Sequence, residues 1–298
     1  MINHSAQHSP NSTNVKALKI SAVLIFIYFF AEIAVAIQTG SLSLLVDAAH
    51  ELSTVVAISI SLIAIRLAAS KPTVKRTFGL QRAETVAALV NGFLLLGMAA
   101  FIIIRGVQRL AEPIEMSSTP MFAMAIGGIG LEIATLFILY KGQKDSLNIR
   151  GSFWHVINAF LGSIAVIIAA LFIQFAQIYT ADTWAGLIFA IILIYAAYGI
   201  IRDSIRILID AVPADKNLDT IEKELSAIKG VVSTHHLHVR TITGSMQTFS
   251  GHLVVSNPLN SQKVLVEAKS ILEKKYDFAL STIQVEPKEL LEHDPREI

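Results

Sequence analysis

Six long apolar stretches occupy the first two thirds of the chain and limit what it can fold into. Each is long enough for the roughly 20 residues that a helix needs to cross the hydrocarbon core of a bilayer. The chain is 53% hydrophobic and only 16% charged, which is typical of a polytopic membrane protein. We therefore predict a bundle of six transmembrane helices, at about 17–37, 42–68, 84–110, 119–140, 153–177 and 183–205.

The basic residues between these stretches predict an orientation. The short connections at 38–41 and 177–182 contain no lysine or arginine, whereas the connections on the opposite side are basic. The positive-inside rule then places both termini in the cytoplasm of a multi-pass protein in the cell membrane. Arg105 and Arg109, near the end of the third stretch, fall on the side that this orientation assigns to the exterior.

The composition changes after Asp210, where charge density rises and apolar runs shorten. Helical spacing of Leu218, Ile221, Leu225 and Ile228 predicts a first helix. Two strand-like runs, a second helical run and a last strand follow, so the predicted order is α-β-β-α-β. We expect a polar, disordered tail at 1–15, an all-α transmembrane bundle at 16–210, and a C-terminal tail at 291–298. Residues 211–290 are predicted to form a ferredoxin-like α+β domain that dimerises in the cytoplasm.

The overall charge and the absence of cysteine narrow the chemistry. A formal net charge of +1 gives no strongly basic surface, so nucleic acid is not an expected partner. The chain has no cysteine, so a metal would have to bind through imidazole and oxygen.

Two histidines, His50 and His155, lie inside apolar stretches, where an ionisable side chain usually serves the bundle interior or an ion path. Each has polar neighbours at helical spacing. Asp47 and Glu51 lie within one turn of His50, and Asn158 lies within one turn of His155. This pattern favours a route for cations through the bundle.

Several motifs, in order along nearly the whole chain, resemble the cation diffusion facilitator family. They are Leu45-Val46-Asp47-Ala48-Ala49-His50, Arg76-Thr77-Phe78-Gly79, Asn148-Ile149-Arg150-Gly151, His235-His236-Leu237-His238-Val239 and Thr282-Ile283-Gln284-Val285-Glu286. The resemblance implies a homodimeric exporter of divalent cations, most often zinc, that exchanges metal for protons by alternating access. It implies no enzymatic activity and no cofactor besides the transported ion.

The chain departs from the family pattern at the metal site. Members of the family carry His or Asp followed four residues later by Asp in both the second and the fifth span, whereas this chain has Thr54 and Ala159 at the two later positions. We therefore expect a rearranged site of His50, His155 and Asn158. One or two carboxylates of Asp47, Glu51 and Glu132 would complete it. Its oxygen content would favour a harder ion than zinc, such as Mn²⁺ or Fe²⁺. Zn²⁺ is the expected transported cation, with Mn²⁺, Fe²⁺, Co²⁺ and Cd²⁺ as alternatives.

The other polar candidates receive weaker interpretations. Glu32 is predicted to stabilise helix packing or to face a cytoplasmic vestibule. In the C-terminal domain the resemblance points to His235 as a regulatory metal ligand, with weak binding. Alternation along a strand places only His236 and His238 on one face.

The sequence is compatible with two functions. The first is a working transporter with altered ligands. The second is a transport-incompetent member of the family that acts as a partner subunit or metal sensor. The presence of His50 and His155 favours the first.

Overall fold

The computed structural model describes residues 12–68, 73–140, 147–243 and 246–287. They form two compact units, one built from residues up to 80 and from 86–202, the other from residues 81–85 and from 203 onward. The first unit contains most of six long helices, each long and apolar enough to cross a membrane. They are α1 Ser12–Thr39, α2 Leu42–Ala68, α3 Arg82–Ala111, α4 Ser118–Tyr140, α5 Leu147–Ala176 and α6 Thr180–Leu208. The six-helix prediction is confirmed.

Four of these helices surround the polar residues of interest. Helix α1 packs against α2 and α4, and α5 packs against α2 and α4. Large apolar side chains such as Phe30, Phe137 and Phe175 are exposed on the outside of the bundle. Several acidic and hydroxyl side chains are buried inside it. This is the inside-out polarity expected where lipid is the solvent.

The first turn of α2 is held by Asp182 of α6. The Asp182 carboxylate accepts hydrogen bonds from the backbone N–H groups of Leu42 at 2.7 Å and Ser43 at 3.2 Å. The first N–H groups of a helix have no partner within the helix, and its dipole favours a negative charge at that end. Asp182 therefore supplies both the acceptors and the charge that the beginning of α2 needs.

The same contact explains why Arg109 can lie on the side that the charge pattern assigns to the exterior. Its guanidinium lies 3.4 Å from the Asp182 carboxylate and donates to the carbonyl of Gly40. Both side chains are buried, with 9% exposure for Arg109 and 0% for Asp182. A buried arginine that is paired with a carboxylate does not act as a free topogenic charge, so it is a poor guide to orientation.

The C-terminal unit has the predicted element order. It contains α7 Leu218–Ser226, β1 Val231–Thr243, β2 Met246–Val255, α8 Ser261–Lys274 and β3 Leu280–Pro287, with a short 3₁₀ turn at Pro258–Asn260. The sheet order is β1-β2-β3; β1 and β2 are antiparallel, and β2 and β3 are parallel. The α-β-β-α-β prediction is confirmed.

One side of this sheet carries the hydrophobic core. Phe249 and Leu253 of β2 pack with Leu225 of α7 and Leu272 of α8 in one buried cluster. Ile228, which its spacing assigned to the first helix, is buried in the same cluster but lies beyond the helix end at Ser226. Apolar spacing overestimated the length of α7 because the turn into β1 also delivers a core residue.

Candidate metal sites

Helix α2 presents three potential ligands to the bundle interior. Asp47, His50 and Glu51 are 1%, 8% and 2% exposed. Their spacing places them within an arc of about 100° on the helix. Thr54, at the position where the family has a carboxylate, is also buried, but its hydroxyl donates to the carbonyl oxygen of His50 at 3.1 Å. The Thr54 oxygen is thus engaged by its own helix and does not replace the missing carboxylate.

Asp47 lies directly against α5. A β-carbon added to Gly162 would come within 2.5 Å of Asp47 Oδ1, so the carboxylate occupies the space that a side chain at position 162 would take. The hydroxyl of the next residue, Ser163, lies 3.4 Å from Asp47 Oδ2. Contact between α2 and α5 at this level depends on the glycine.

Ser163 also joins Asp47 to a third helix. Its hydroxyl donates to Glu132 Oε1 of α4 at 2.8 Å, and Glu132 is only 3% exposed. A serine hydroxyl has one proton to donate, so the shorter contact is the hydrogen bond and the longer one leaves Asp47 with a weak partner. Asp47 and Glu132 therefore face each other across a single hydroxyl.

Glu32 of α1 completes this group. It is fully buried and interacts electrostatically with Asp47, Glu51 and Glu132. Its carboxyl group hydrogen-bonds to that of Asp47, which requires a proton between the two groups, and no other hydrogen-bond partner of its oxygens is found in the described part of the chain. Of the two alternatives predicted for Glu32, its burial favours a role in helix packing over a position in a cytoplasmic vestibule.

Glu32, Asp47, Glu51 and Glu132 are absent from the described ion pairs that involve lysine or arginine. Burying a carboxylate without compensation is costly in a low-dielectric interior. The buried group is therefore compatible with a stable fold only if protons or a cation neutralise its negative charge. A carrier that exchanges a cation for protons has to bind both of these.

The environment of His50 differs from that of the carboxylates. Its ring lies 6.1 Å, centroid to centroid, from the ring of Phe189 on α6. The side chains of His155 and Asn158 lie outside the part of the chain that the structure describes. Their membership of the site stays a prediction. The helix backbone places residue 155 one turn before Ala159, which is buried.

A second group of ligands lies in the C-terminal unit. His235, His236 and His252 offer nitrogen atoms that all lie within 4.8 Å of one another. Among the described residues this is the only group of three or more histidine or acidic side chains that meets this distance. His235 and His252 are cross-strand partners of β1 and β2, on the sheet face opposite the core.

A β-bulge brings His236 into this group. His235 pairs with His252 and His238 pairs with Ser250, so two residues of β1 stand where β2 has one. His236 adopts the left-handed conformation, with φ of 52°. The prediction that only His236 and His238 share a face was wrong, since a bulge interrupts the alternation on which it depended.

Glu286 of β3 adds a buried carboxylate to the three imidazoles. It is 2% exposed, its Oε1 lies 3.1 Å from His235 Nε2, and its Oε2 lies 3.5 Å from His252 Nδ1. Gln284 donates to Glu286 Oε2 at 2.8 Å and so orients this carboxylate. The resemblance pointed to His235 as the regulatory ligand, and the strand register adds His252 and Glu286 to the candidate group.

Comparisons with known proteins agree with the geometry. The family model described as the cation efflux transmembrane domain matches residues 18–209, and the model for the cytoplasmic domain of cation efflux proteins matches residues 213–288. A metal cation efflux system protein, CzcD, from Cupriavidus metallidurans is 34% identical over 95% of this chain and 89% of its own length.

Two further relatives are similar over almost as much of the chain. A cadmium, cobalt and zinc/H⁺-K⁺ antiporter from Bacillus subtilis is 34% identical over 94% of this chain and 91% of its own length. The zinc transporter ZitB from Escherichia coli is 27% identical over 95% of this chain and 91% of its own length.

The contact between Asp47 and Gly162 generates the first prediction. Gly162→Ala is expected to push the Asp47 carboxylate aside and to weaken metal binding in the membrane unit by about tenfold or more, because small displacements of ligands are costly. Titration calorimetry on the detergent-solubilised protein measures this. Gly97→Ala is the matched control, since a β-carbon at position 97 meets nothing within 4 Å. Equal affinities for the two variants would contradict the placement of Asp47.

The bulge in β1 generates the second prediction. His236→Ala is expected to weaken zinc binding to the C-terminal unit by about tenfold or more. Loss of a metal ligand should lower the affinity at least as much as loss of a residue that hydrogen-bonds to a ligand. His238→Ala is the control, because His238 lies on the same strand but outside the group. Calorimetry of both full-length variants decides between them. If His238→Ala has the larger effect, the strand alternates regularly and the bulge is wrong.

Proposed function

Because the chain belongs to the cation efflux family, we propose that it carries a divalent transition-metal cation at a site of His50, His155, Asn158, Asp47 and Glu51. It is a multi-pass membrane transporter and not an enzyme, and it moves its cation outward in exchange for protons. The observation that carries this site is the burial of Asp47, His50 and Glu51 on one side of α2, where the two carboxyl groups form no described ion pair with lysine or arginine.

Exchange for protons follows from the ligand types. Imidazole binds a metal only in its neutral form and carboxyl groups bind it only when ionised, so metal binding releases protons. When the site opens to the other side and the metal leaves, protons restore the neutral charge of the buried groups. The same residues therefore bind both substrates, and the cost of an empty charged site couples the two movements.

The identity of the cation follows from ligand chemistry and from the relatives. Zinc, cobalt and cadmium appear in the names of the similar proteins, and two imidazoles with carboxylates suit these ions. The membrane unit here has more carboxylate oxygens than a site of paired His and Asp, which extends the range to Mn²⁺ and Fe²⁺.

The C-terminal unit is proposed to join two copies of the chain into a homodimer and to sense cytoplasmic metal. A sheet with one uncovered face and an edge strand offers a surface that a second copy can match with twofold symmetry. The three histidines and Glu286 are the proposed regulatory ligands. Glu286 compensates part of the metal charge, which supports tighter binding than His235 alone would give.

Loss of transport remains the second candidate function, and Thr54 and Ala159 favour it because both replace expected carboxylates. The buried carboxylates of α1, α2 and α4 weigh against it, since a subunit without cargo would gain stability by replacing them with apolar residues.

Metal flux tests the proposed function. Purified protein in proteoliposomes with a zinc-sensitive dye inside is expected to move zinc in response to a pH gradient, and His50→Ala should reduce the rate by about tenfold or more. Thr54→Ala should transport normally, since the Thr54 hydroxyl only bonds to its own helix. If neither Zn²⁺ nor any of Mn²⁺, Fe²⁺, Co²⁺ and Cd²⁺ drives proton movement in the unaltered protein, the partner-subunit reading replaces the transporter.

The orientation has its own test. The chain contains no cysteine, so single cysteines can be introduced as reporters. Val74, which is 99% exposed between α2 and α3, should be labelled as Val74→Cys only from the cytoplasm. Ile178→Cys, between α5 and α6, should be labelled only from outside. The reverse pattern with a membrane-impermeant maleimide would mean that the termini are external.

A further inference from the structure

The geometry points to an oxygen-only cation site of Glu32, Asp47 and Glu132 around Ser163, which binds a hard divalent cation of the Mn²⁺ type. These residues come from α1, α2, α4 and α5, whereas the site in the proposed function is centred on the imidazoles. The inference rests on the proposed function only where it names a transported ion. Binding itself can be measured without transport.

Buried carboxyl groups with few hydrogen-bond donors are the first reason. Oε2 of Glu132 is buried and accepts no hydrogen bond within the described residues, and the carboxyl groups of Glu32 and Asp47 hydrogen-bond to each other. The three side chains are 0%, 1% and 3% exposed. Two carboxyl groups can hydrogen-bond to each other only through a proton, so a cation that replaces such protons would meet three buried acids whose only other described donor is Ser163.

The position of Ser163 is the second reason. Its hydroxyl lies between Glu132 and Asp47, at 2.8 Å and 3.4 Å, and brings carboxylates from two helices toward one point. Gly128 lets Ser163 and Tyr28 pack against α4, since a β-carbon there would lie 2.9 Å from the Ser163 oxygen and 2.5 Å from the Tyr28 hydroxyl. Gly162, next to Ser163 on α5, leaves its space to the Asp47 carboxylate.

The ligand set decides the kind of ion. Three carboxylates and a hydroxyl offer oxygen alone, and such ligands suit Mg²⁺, Ca²⁺ and Mn²⁺, whereas imidazole suits zinc. Of these three ions, Mn²⁺ is the transition metal, so it is the one that the neighbouring histidine site of the same carrier could also bind. The His50 ring lies 6.1 Å, centroid to centroid, from the Phe189 ring of α6, while Asp47 contacts Gly162 and Ser163 of α5.

Binding requires a small rearrangement. The carboxyl oxygens of this group do not meet the 4.8 Å mutual distance that the three C-terminal histidines meet. Glutamate has three rotatable side-chain bonds, and changes between staggered rotamers move its carboxyl group by several ångströms. Glu32 and Glu132 can therefore close on an ion beside Asp47 while the helices stay in place.

Manganese resonance provides the test. Free Mn²⁺ gives a sharp six-line spectrum that disappears on binding, and a nitrogen ligand adds a ¹⁴N modulation to the pulsed signal. The measurement uses the full-length chain with His235→Ala and His252→Ala, which remove the C-terminal site. We expect the tightest-bound Mn²⁺, measured at less than one ion per chain, to show no nitrogen modulation. Binding should weaken by about tenfold or more in both Glu32→Gln and Glu132→Gln. Glu112→Gln, at an exposed position, is the control and should bind as before.

Several results would overturn the inference. They are no Mn²⁺ binding, a nitrogen modulation of the tightest-bound Mn²⁺ that His50→Ala abolishes, or unchanged affinity in Glu132→Gln. The modulation is read on protein with an unaltered membrane unit, so the answer does not depend on whether the glutamine variants fold. Zinc flux that persists without Mn²⁺ binding would reject this site and keep the proposed function. Mn²⁺ binding through oxygen ligands alone, without flux of any ion, would keep this site and reject the proposed function.

Discussion

The cost of burying negative charge governs the membrane unit. Glu32, Asp47, Glu51 and Glu132 lie inside a bundle whose outer surface is apolar, and the described lysine and arginine residues do not pair with them. Such a group lowers the stability of the protein unless a proton or a cation binds to it and offsets its negative charge. Proton and metal are both positive, and each can neutralise the same carboxylates. Competition between them at one place is a physical basis for exchange transport.

The site depends on contacts that do not involve any cation. Asp182 and Arg109 hold the beginning of α2, one and a half turns before Asp47, and so determine where its ligands stand. Gly162 then lets α5 approach close enough for Ser163 to reach both Asp47 and Glu132. A helix that is held at one end and closely packed at the level of its ligands can keep its ligands in register while other parts of the bundle move.

The two candidate metal sites use different means to gather ligands. In the membrane unit, helical periodicity presents Asp47 and Glu51 together, and neighbouring helices supply the rest. In the C-terminal unit, the register of β1 and β2 aligns His235 with His252, and a bulge adds His236. The cluster lies on the sheet face away from the core, so metal binding there does not compete with the packing that stabilises the domain.

The sequence by itself determined the architecture, because apolar length and period act locally. Six stretches of sufficient length produced six helices, and α-β-β-α-β patterning produced the C-terminal sheet. The burial of Asp47, His50 and Glu51 on one side of α2 could be predicted for the same reason, since one turn of helix is a local relation. Tertiary structure alone decided which distant groups meet: Glu32 beside Asp47, Ser163 between Asp47 and Glu132, and Asp182 with Arg109. It also decided the bulge that moved His236, because a strand's register is set by its partner and by packing across the whole sheet.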